Sequence, residues 1–225
     1  DGAGGAGLAT WALVGGLGTR DEVSPVLSAT RVDTDDFSLD VVSATIGAWN
    51  RVELSYARQR FDAGAVIPGV TLGQDIWGVK VRLSGDAVFD GDRIWPQLSV
   101  GAQHKRTRDF DIVPRAVGAR DGTDTEFYLA ATKVYFAALA GRNVAVNATL
   151  RRTRANQYGL LGFGGPGRDT PAWRPELTVA AWPRDDLLVG VEYRAKAAGV
   201  TAFGEDAARD VFVAWAPHRR VTLVG

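Results

Sequence analysis

From Trp77 to Ser84 apolar and polar side chains alternate without a break: Trp77, Val79, Val81 and Leu83 against Gly78, Lys80, Arg82 and Ser84. The stretch Pro96–Lys105 repeats the pattern, with Pro96, Leu98, Val100 and Ala102 against Gln97, Ser99, Gly101, Gln103 and Lys105. Successive side chains of a strand point to opposite faces, so this period of two predicts strands with one apolar and one polar face. Strands of soluble sheets usually stop at about five or six residues. These run to about ten, the length a tilted strand needs to cross a bilayer. The connection Gly85–Arg93, rich in Gly and Asp, suits a hairpin loop between them.

The same period runs along most of the chain. Leu8–Gly16 reads as a first short strand, Leu17–Ser24 as a turn and Val26–Thr34 as a second strand. Phe37–Trp49 follows, with Phe37, Leu39, Val41 and Trp49 in one phase and Ser38 and Asp40 in the other. Asn50-Arg51 is a tight turn into Val52–Phe61, where Val52, Leu54 and Tyr56 oppose Glu53, Ser55 and Gln59. After the central hairpin come Thr125–Phe136, Asn143–Thr153, Trp173–Trp182, Leu187–Lys196, Asp210–Pro217 and Val221–Gly225. The count is about twelve strands, and no linker divides them, so residues 1–225 read as one domain.

Two regularities favour a membrane barrel over a soluble sheet. Short turns at Asn50-Arg51, Gly85–Arg93, Ala137–Arg142, Pro183–Asp186 and His218–Arg220 alternate with longer loops at Asp62–Gly73, Thr107–Asp124, Arg154–Ala172 and Ala197–Ala208. Outer-membrane barrels show this, with short periplasmic turns and long extracellular loops. The aromatic residues Trp77, Phe127, Trp173 and Tyr193 fall near the long-loop end, and Trp49 and Tyr135 near the short-turn end. Amphipathic rings favour the bilayer interface, so two such bands are expected of a lipid-facing surface. The competing reading makes these rings the core of a soluble sheet, but the opposite faces carry charges of both signs rather than large apolar groups. The expectation is therefore an all-β, transmembrane, antiparallel up-and-down β-barrel in the bacterial outer membrane.

Composition narrows this only a little. The 26 basic and 26 acidic residues cancel, and no basic cluster interleaved with aromatics argues for nucleic acid. With no cysteine there is neither a disulfide framework nor a thiolate metal site. No apolar run approaches the roughly 20 residues of a membrane helix, which leaves a barrel untouched because its apolarity hides in alternate positions. The chain has no signal peptide and no initiator methionine and reads as a mature or partial product. Placing the short turns in the periplasm puts both ends of the chain outside. The expectation is then further strands beyond both ends, about fourteen in all. Alternatively, Leu8–Gly16 pairs with Val221–Gly225 and closes about twelve.

The chemistry-bearing residues lie in the polar phase: Glu53, Lys80, Arg82, Lys105, Glu126, Arg151, Arg174, Glu176, Glu192, Arg194 and Lys196, with Asp40 on a weaker alternation. As lumen-lining groups they could set the selectivity of a water-filled pore. The chain then reads as a narrow channel for small solutes that slightly favours anions, because the basic residues outnumber the acidic ones. The alternative is that opposite charges on neighbouring strands pair and plug the lumen. The barrel would then be a scaffold that binds a partner protein through its long loops. Glu192 and Arg174 are expected to interact on adjacent strands. Gly162–Gly167 lacks the following helix of a phosphate loop, and Asp33–Asp36 lacks the Gly and distal Glu of a calcium loop. Neither His104 nor His218 has a nucleophile or acid beside it. No enzyme, cofactor or metal is expected.

Four stretches carry a family resemblance: Val52–Asp62 (VELSYARQRFD), Gln74–Asp90 (QDIWGVKVRLSGDAVFD), Ala155–Gly165 (ANQYGLLGFGG) and Asp210–Val221 (DVFVAWAPHRRV). They resemble an uncharacterised family of Gram-negative outer-membrane-type barrels, domain of unknown function 3034. The resemblance spans nearly the whole chain, and family members extend beyond both of its ends. It implies an outer-membrane β-barrel surrounded by lipid and transfers no catalytic residue, ligand or substrate.

Overall fold

In the computed structural model eleven antiparallel strands form one sheet in chain order, curled as a half-barrel. They are β1 (Val23–Asp33), β2 (Ser38–Ala48), β3 (Val52–Asp62), β4 (Thr71–Ser84), β5 (Gln97–Thr107), β6 (Thr123–Leu139), β7 (Arg142–Thr153), β8 (Ala172–Arg184), β9 (Leu187–Arg194), β10 (Ala208–His218) and β11 (Val221–Val224). The structure describes residues 2–5, 7–16, 18, 20–65, 67–90, 93–197, 199–201 and 206–225. Parts of the expected turn Leu17–Ser24 and of the expected loops at Asp62–Gly73, Gly85–Arg93 and Ala197–Ala208 lie outside those residues. Among the described residues helix is confined to one turn, α1 (Val113–Ala116), and a 3-10 turn at Asn156–Gly159.

The sheet is inverted relative to a soluble one. Its convex face exposes Leu54, Val79, Leu129, Leu150, Leu177, Val179 and Val191, while its concave face buries Glu53, Lys80, Lys105, Glu126, Arg151 and Glu176. Lys and Glu are almost never fully buried unless paired, so the concave face has to satisfy its charges internally. One band of that face is apolar. The ladder register aligns Val134, Ala145, Ala180, Gly190 and Phe212 across β6 to β10. Ala9 and Trp11 pack onto this row, with Leu13, Val88 and Trp182 at its margin.

The largest departure from expectation concerns Leu8–Gly16, which is not a strand of the sheet. Residues 2–5 and 7–16, together segment 2–16, meet through the Gly5–Thr10 bridge and lie across the concave face. Among the described residues the strand count is therefore eleven. Closure through a ladder between Leu8–Gly16 and Val221–Gly225 does not form, and β1 and β11 share no ladder among the described residues.

Smaller corrections follow from register. In β2 the convex residues are Val42, Ala44 and Ile46, whereas Thr45 turns inward to donate to the Gly2 carbonyl. Val41 thus shares the phase of Thr45, and Asp40 is half-buried on the convex side beside Arg31. The β2–β3 turn centres on Trp49-Asn50, both at positive φ, with Arg51 N–H donating to the Ala48 carbonyl. Two central residues at positive φ match the twist of the flanking strands. The β4–β5 connection is the long one at its end of the sheet. Its residues Ala87 and Val88 fold inward, and Val134 N–H donates to the Ala87 carbonyl.

Candidate functional site: a filled concave face

Seven of the inward charges form two groups. Lys80 and Glu53, opposite each other on β4 and β3, are paired at 3.0 Å. The others make a chain of alternating sign across the concave face. Lys105 meets Glu126 at 2.9 Å, Arg151 bridges Glu126 at 3.2 Å and Glu176 at 2.5 Å, and Arg194 reaches Glu176 at 3.3 Å. The Arg151 guanidinium also lies 4.8 Å from the centre of the Tyr128 ring. That ring in turn occupies the space that a side chain at Gly101 would need.

Segment 2–16 completes this network. Its backbone cannot be left unpaired in a buried site, since each orphaned group costs about 1–3 kcal/mol. The sheet supplies the partners from side chains. Glu192 accepts from Leu8 N–H at 2.7 Å, Glu176 from Thr10 N–H at 2.9 Å and Glu53 from Gly15 N–H at 2.7 Å. Thr132 Oγ1 accepts from Ala12 N–H at 2.8 Å. In the other direction Gln97 and Ser99 each donate to the Ala12 carbonyl at 2.6 Å, and Lys80 to the Leu13 carbonyl at 2.8 Å. Thr149 and Asn147 donate to the Thr10 carbonyl at 2.5 and 3.2 Å, and Arg194 to the Leu8 carbonyl at 3.0 Å. The Trp11 indole N–H donates to Thr178 Oγ1 at 3.2 Å.

Loop 154–171 covers the long-loop end of the same face. Lys105 Nζ donates to the Tyr158 carbonyl at 3.1 Å, and Thr107 Oγ1 to the Gly159 carbonyl at 2.7 Å. Arg194 stacks 4.4 Å from the Tyr158 ring centre. The glycine-rich run is a folded piece of this cover. Phe163 is fully buried and exchanges backbone hydrogen bonds with Asp121 at 2.8 and 3.1 Å. Arg154 ties the cover to the rim by contacts with Asp121, Asp124 and Asp169. Burial alone would lower the Arg154 pKa, but the Asp121 and Asp124 carboxylates outweigh it and hold the pKa above its ordinary value.

Of the expected lumen-lining residues, Glu53, Lys80, Lys105, Glu126, Arg151, Glu176, Glu192 and Arg194 are buried on the concave face. The others lie nearer its ends. Arg82 donates to the Gly85 carbonyl and the Asp86 carboxylate at the short-turn end. Burial pushes the Asp86 carboxyl upward, but the N–H groups of Phe89 and Val88, with Arg82, win and hold it below the usual carboxylate range. Lys196 lies beyond the end of β9, in a loop, where it donates to Gln157 at 2.8 Å. Arg174 is half-buried near the start of β8. It does not pair with Glu192: that residue sits across from Thr178, four positions further along β8, and accepts from the Thr178 hydroxyl at 2.7 Å.

Among the expected interface aromatics Trp49, Trp77, Phe127, Tyr135 and Trp173 are exposed on the outside, and Tyr193 is half-buried beside Arg209. His104 stands beside Trp77, with 6.0 Å between ring centres, and its Nδ1 is 3.0 Å from Thr125 Oγ1. Asp33 takes the Arg31 guanidinium with both carboxylate oxygens, at 2.7 and 3.1 Å. The residues that sequence reasoning missed are the neutral ones that hold the segment: Thr10, Gln97, Ser99, Thr132, Asn147 and Thr149. All but Thr10 stand in the polar phase of their strands, which marks them as inward, but no local signal says that a stretch of backbone lies against them.

No curated protein and no solved structure matches the chain. The family model described as "Protein of unknown function (DUF3034)" matches residues 1–225. A chain matched over its whole length, whose strands bury charge on one face and display apolar side chains on the other, belongs to that DUF3034 family.

Proposed function

We propose that this protein is a bacterial outer-membrane β-barrel whose lumen is closed by its own segment 2–16, a scaffold that offers its long loops to a partner protein. The observation that carries this reading is the anchoring of segment 2–16 by side chains from β2 to β9. Charge balance supports it. Among the described residues five buried cations, Lys80, Lys105, Lys133, Arg151 and Arg194, stand against five buried carboxylates, Glu53, Asp75, Glu126, Glu176 and Glu192, which leaves no excess of buried positive charge to select an anion. A barrel of this size can be filled by its own side chains, while wide aqueous channels belong to barrels of about 16 strands or more. In lipid the outer edges of β1 and β11 would each need a pairing strand, because unpaired backbone groups cost several kcal/mol each there.

Planar-bilayer recording tests the closed lumen. The full chain is expected to give no steady conductance, and a variant lacking residues 2–16 is expected to conduct. Stable single-channel steps from the full chain would restore the narrow-channel reading.

The membrane environment has its own test at Val79, a convex residue 40% exposed between Leu54 and Ala102. In water Val79→Arg is a surface change worth within about 0.5 kcal/mol. Near the midplane of a bilayer it costs about 2–4 kcal/mol. Urea unfolding midpoints in phospholipid vesicles decide: a midpoint equal to that of the unsubstituted protein means the convex face meets water.

A further inference from the structure

The convex face carries a second organised feature at the long-loop end of β3, β4 and β5. Register places Arg58, Asp75 and Arg106 side by side on the three strands, and Arg60 and Gly73 in the next row. Arg108 completes that row, its N–H donating to the Gly73 carbonyl at 2.8 Å. Inter-strand and along-strand spacings make this a patch of roughly 10 by 7 Å. The residues line a depression of about 650 Å³ together with Thr71 and Asp109. A side chain at Gly73 would press on Arg108, so the glycine leaves the middle of the patch open.

The acids around the patch are already engaged. Asp75 accepts from Arg108 at 2.6 Å and from the Tyr56 hydroxyl at 2.9 Å. Asp109 accepts from Gly73 N–H at 3.0 Å, and Asp40 pairs with Arg31 at 3.5 Å. Arg58, Arg60 and Arg106 are exposed and form no ion pair among the described residues. Four guanidinium groups, those of Arg58, Arg60, Arg106 and Arg108, thus share one depression with only two carboxylates, Asp75 and Asp109, which leaves an excess of positive charge. A planar guanidinium binds phosphate oxygens in bidentate fashion, which an ammonium cannot do.

What lies beneath the arginines identifies the source of the phosphate. The next row toward the middle of the sheet is Tyr56, Trp77 and His104, with ring centres 5.7 and 6.0 Å apart, and below it stand Leu54, Val79 and Ala102. Guanidinium, aromatic and aliphatic rows follow one another as phosphate, interface and acyl chain do in a lipid leaflet. We propose that Arg58, Arg60 and Arg106 bind the phosphorylated headgroup of a lipid in the leaflet on the long-loop side. This rests on the membrane-barrel reading above.

The test uses the full chain refolded into phosphatidylcholine vesicles that contain a minor fraction of bisphosphorylated lipid A. Flotation with the vesicles is scored first, because failure to float refutes the membrane reading itself. Floated protein is then extracted in detergent and its retained lipid identified by native mass spectrometry. The unsubstituted chain is expected to retain lipid A in preference to phosphatidylcholine. The triple variant Arg58→Gln/Arg60→Gln/Arg106→Gln should float equally well and lose about tenfold or more of that retention, as expected for removing charge-assisted hydrogen bonds. Arg219→Gln, at the opposite end, should retain lipid as the unsubstituted chain does. Floated protein without lipid A preference, or equal retention by the triple variant, overturns the headgroup site. Inorganic phosphate that displaces the lipid at equal phosphate concentration would mean a soluble-anion site and overturn it as well.

Discussion

Arg151→Met is expected to be the most damaging single substitution on the concave face, costing about 3–5 kcal/mol as a broken buried ion network does. Arg151 is 2% exposed and every side of its guanidinium is used. It donates to Glu176 at 2.5 Å, to Gln103 at 2.8 Å, to Glu126 at 3.2 Å and to the Thr10 hydroxyl at 2.7 Å. Methionine fills similar volume, so the loss is electrostatic: two carboxylates remain buried with one cation fewer. Lys105 still serves Glu126 and Arg194 still serves Glu176, which is why collapse of the whole sheet is not expected. Adding Glu176→Gln to Arg151→Met should recover part of the loss, because an amide costs less to bury than an unpaired carboxylate. Arg154→Met is the control. That residue also contacts three carboxylates, but the Asp121 and Asp169 side chains keep 51% and 38% of their surface in solvent, and such pairs are worth about 0–1 kcal/mol each. Unfolding midpoints for the four proteins check this. An Arg151→Met midpoint no lower than that of Arg154→Met would mean that the concave face is hydrated.

Trp11→Ala should cost a similar amount, about 3–5 kcal/mol for deleting a buried Trp, but the loss should appear in a different place. Trp11 belongs to the segment, not to the ladder, and it packs on Val134, Ala145, Ala180 and Phe212. Removing it takes away the main apolar anchor of segment 2–16 while every strand-to-strand hydrogen bond stays. Hydrogen exchange resolves the two outcomes. In the unsubstituted protein the N–H groups of Leu8, Thr10 and Ala12 are expected to be protected by Glu192, Glu176 and Thr132. In Trp11→Ala those three should lose protection, with β6 to β9 unchanged. Protection that survives the substitution would mean that the polar contacts alone hold the segment, and loss across β6 to β9 would mean that the segment is part of the sheet's own stability.

The two predictions fall on opposite sides of what could be read without a structure. Arg151, Glu126 and Glu176 are legible as inward groups because a period of two leaves a side chain no third direction. Their pairing is a matter of register between β6, β7 and β8. Glu192 and Arg174 show the limit: phase put both on one face, but Thr178 is the residue opposite Glu192. The phase of β2 was misread for a related reason. Val41 and Val42 are adjacent and equally apolar, so alternation is silent there, and the choice is made by pairing with Gln59 and Arg58 on β3.

Alternation along the chain determined by itself that this is an up-and-down antiparallel sheet with charge on one face and apolar residues on the other. A shift of one residue would have moved every buried ion pair to the outside. Tertiary structure alone decided the role of Leu8–Gly16. Ala9, Trp11 and Leu13 alternate with Thr10 and Ala12 much as a strand would, and a backbone N–H is satisfied as well by a carboxylate as by a neighbouring carbonyl. Whether such a stretch joins the ladder or lies across it depends on which acceptors the folded sheet brings within reach. Here those acceptors are Glu53 on β3, Thr132 on β6, Glu176 on β8 and Glu192 on β9, all far along the chain from the segment they hold.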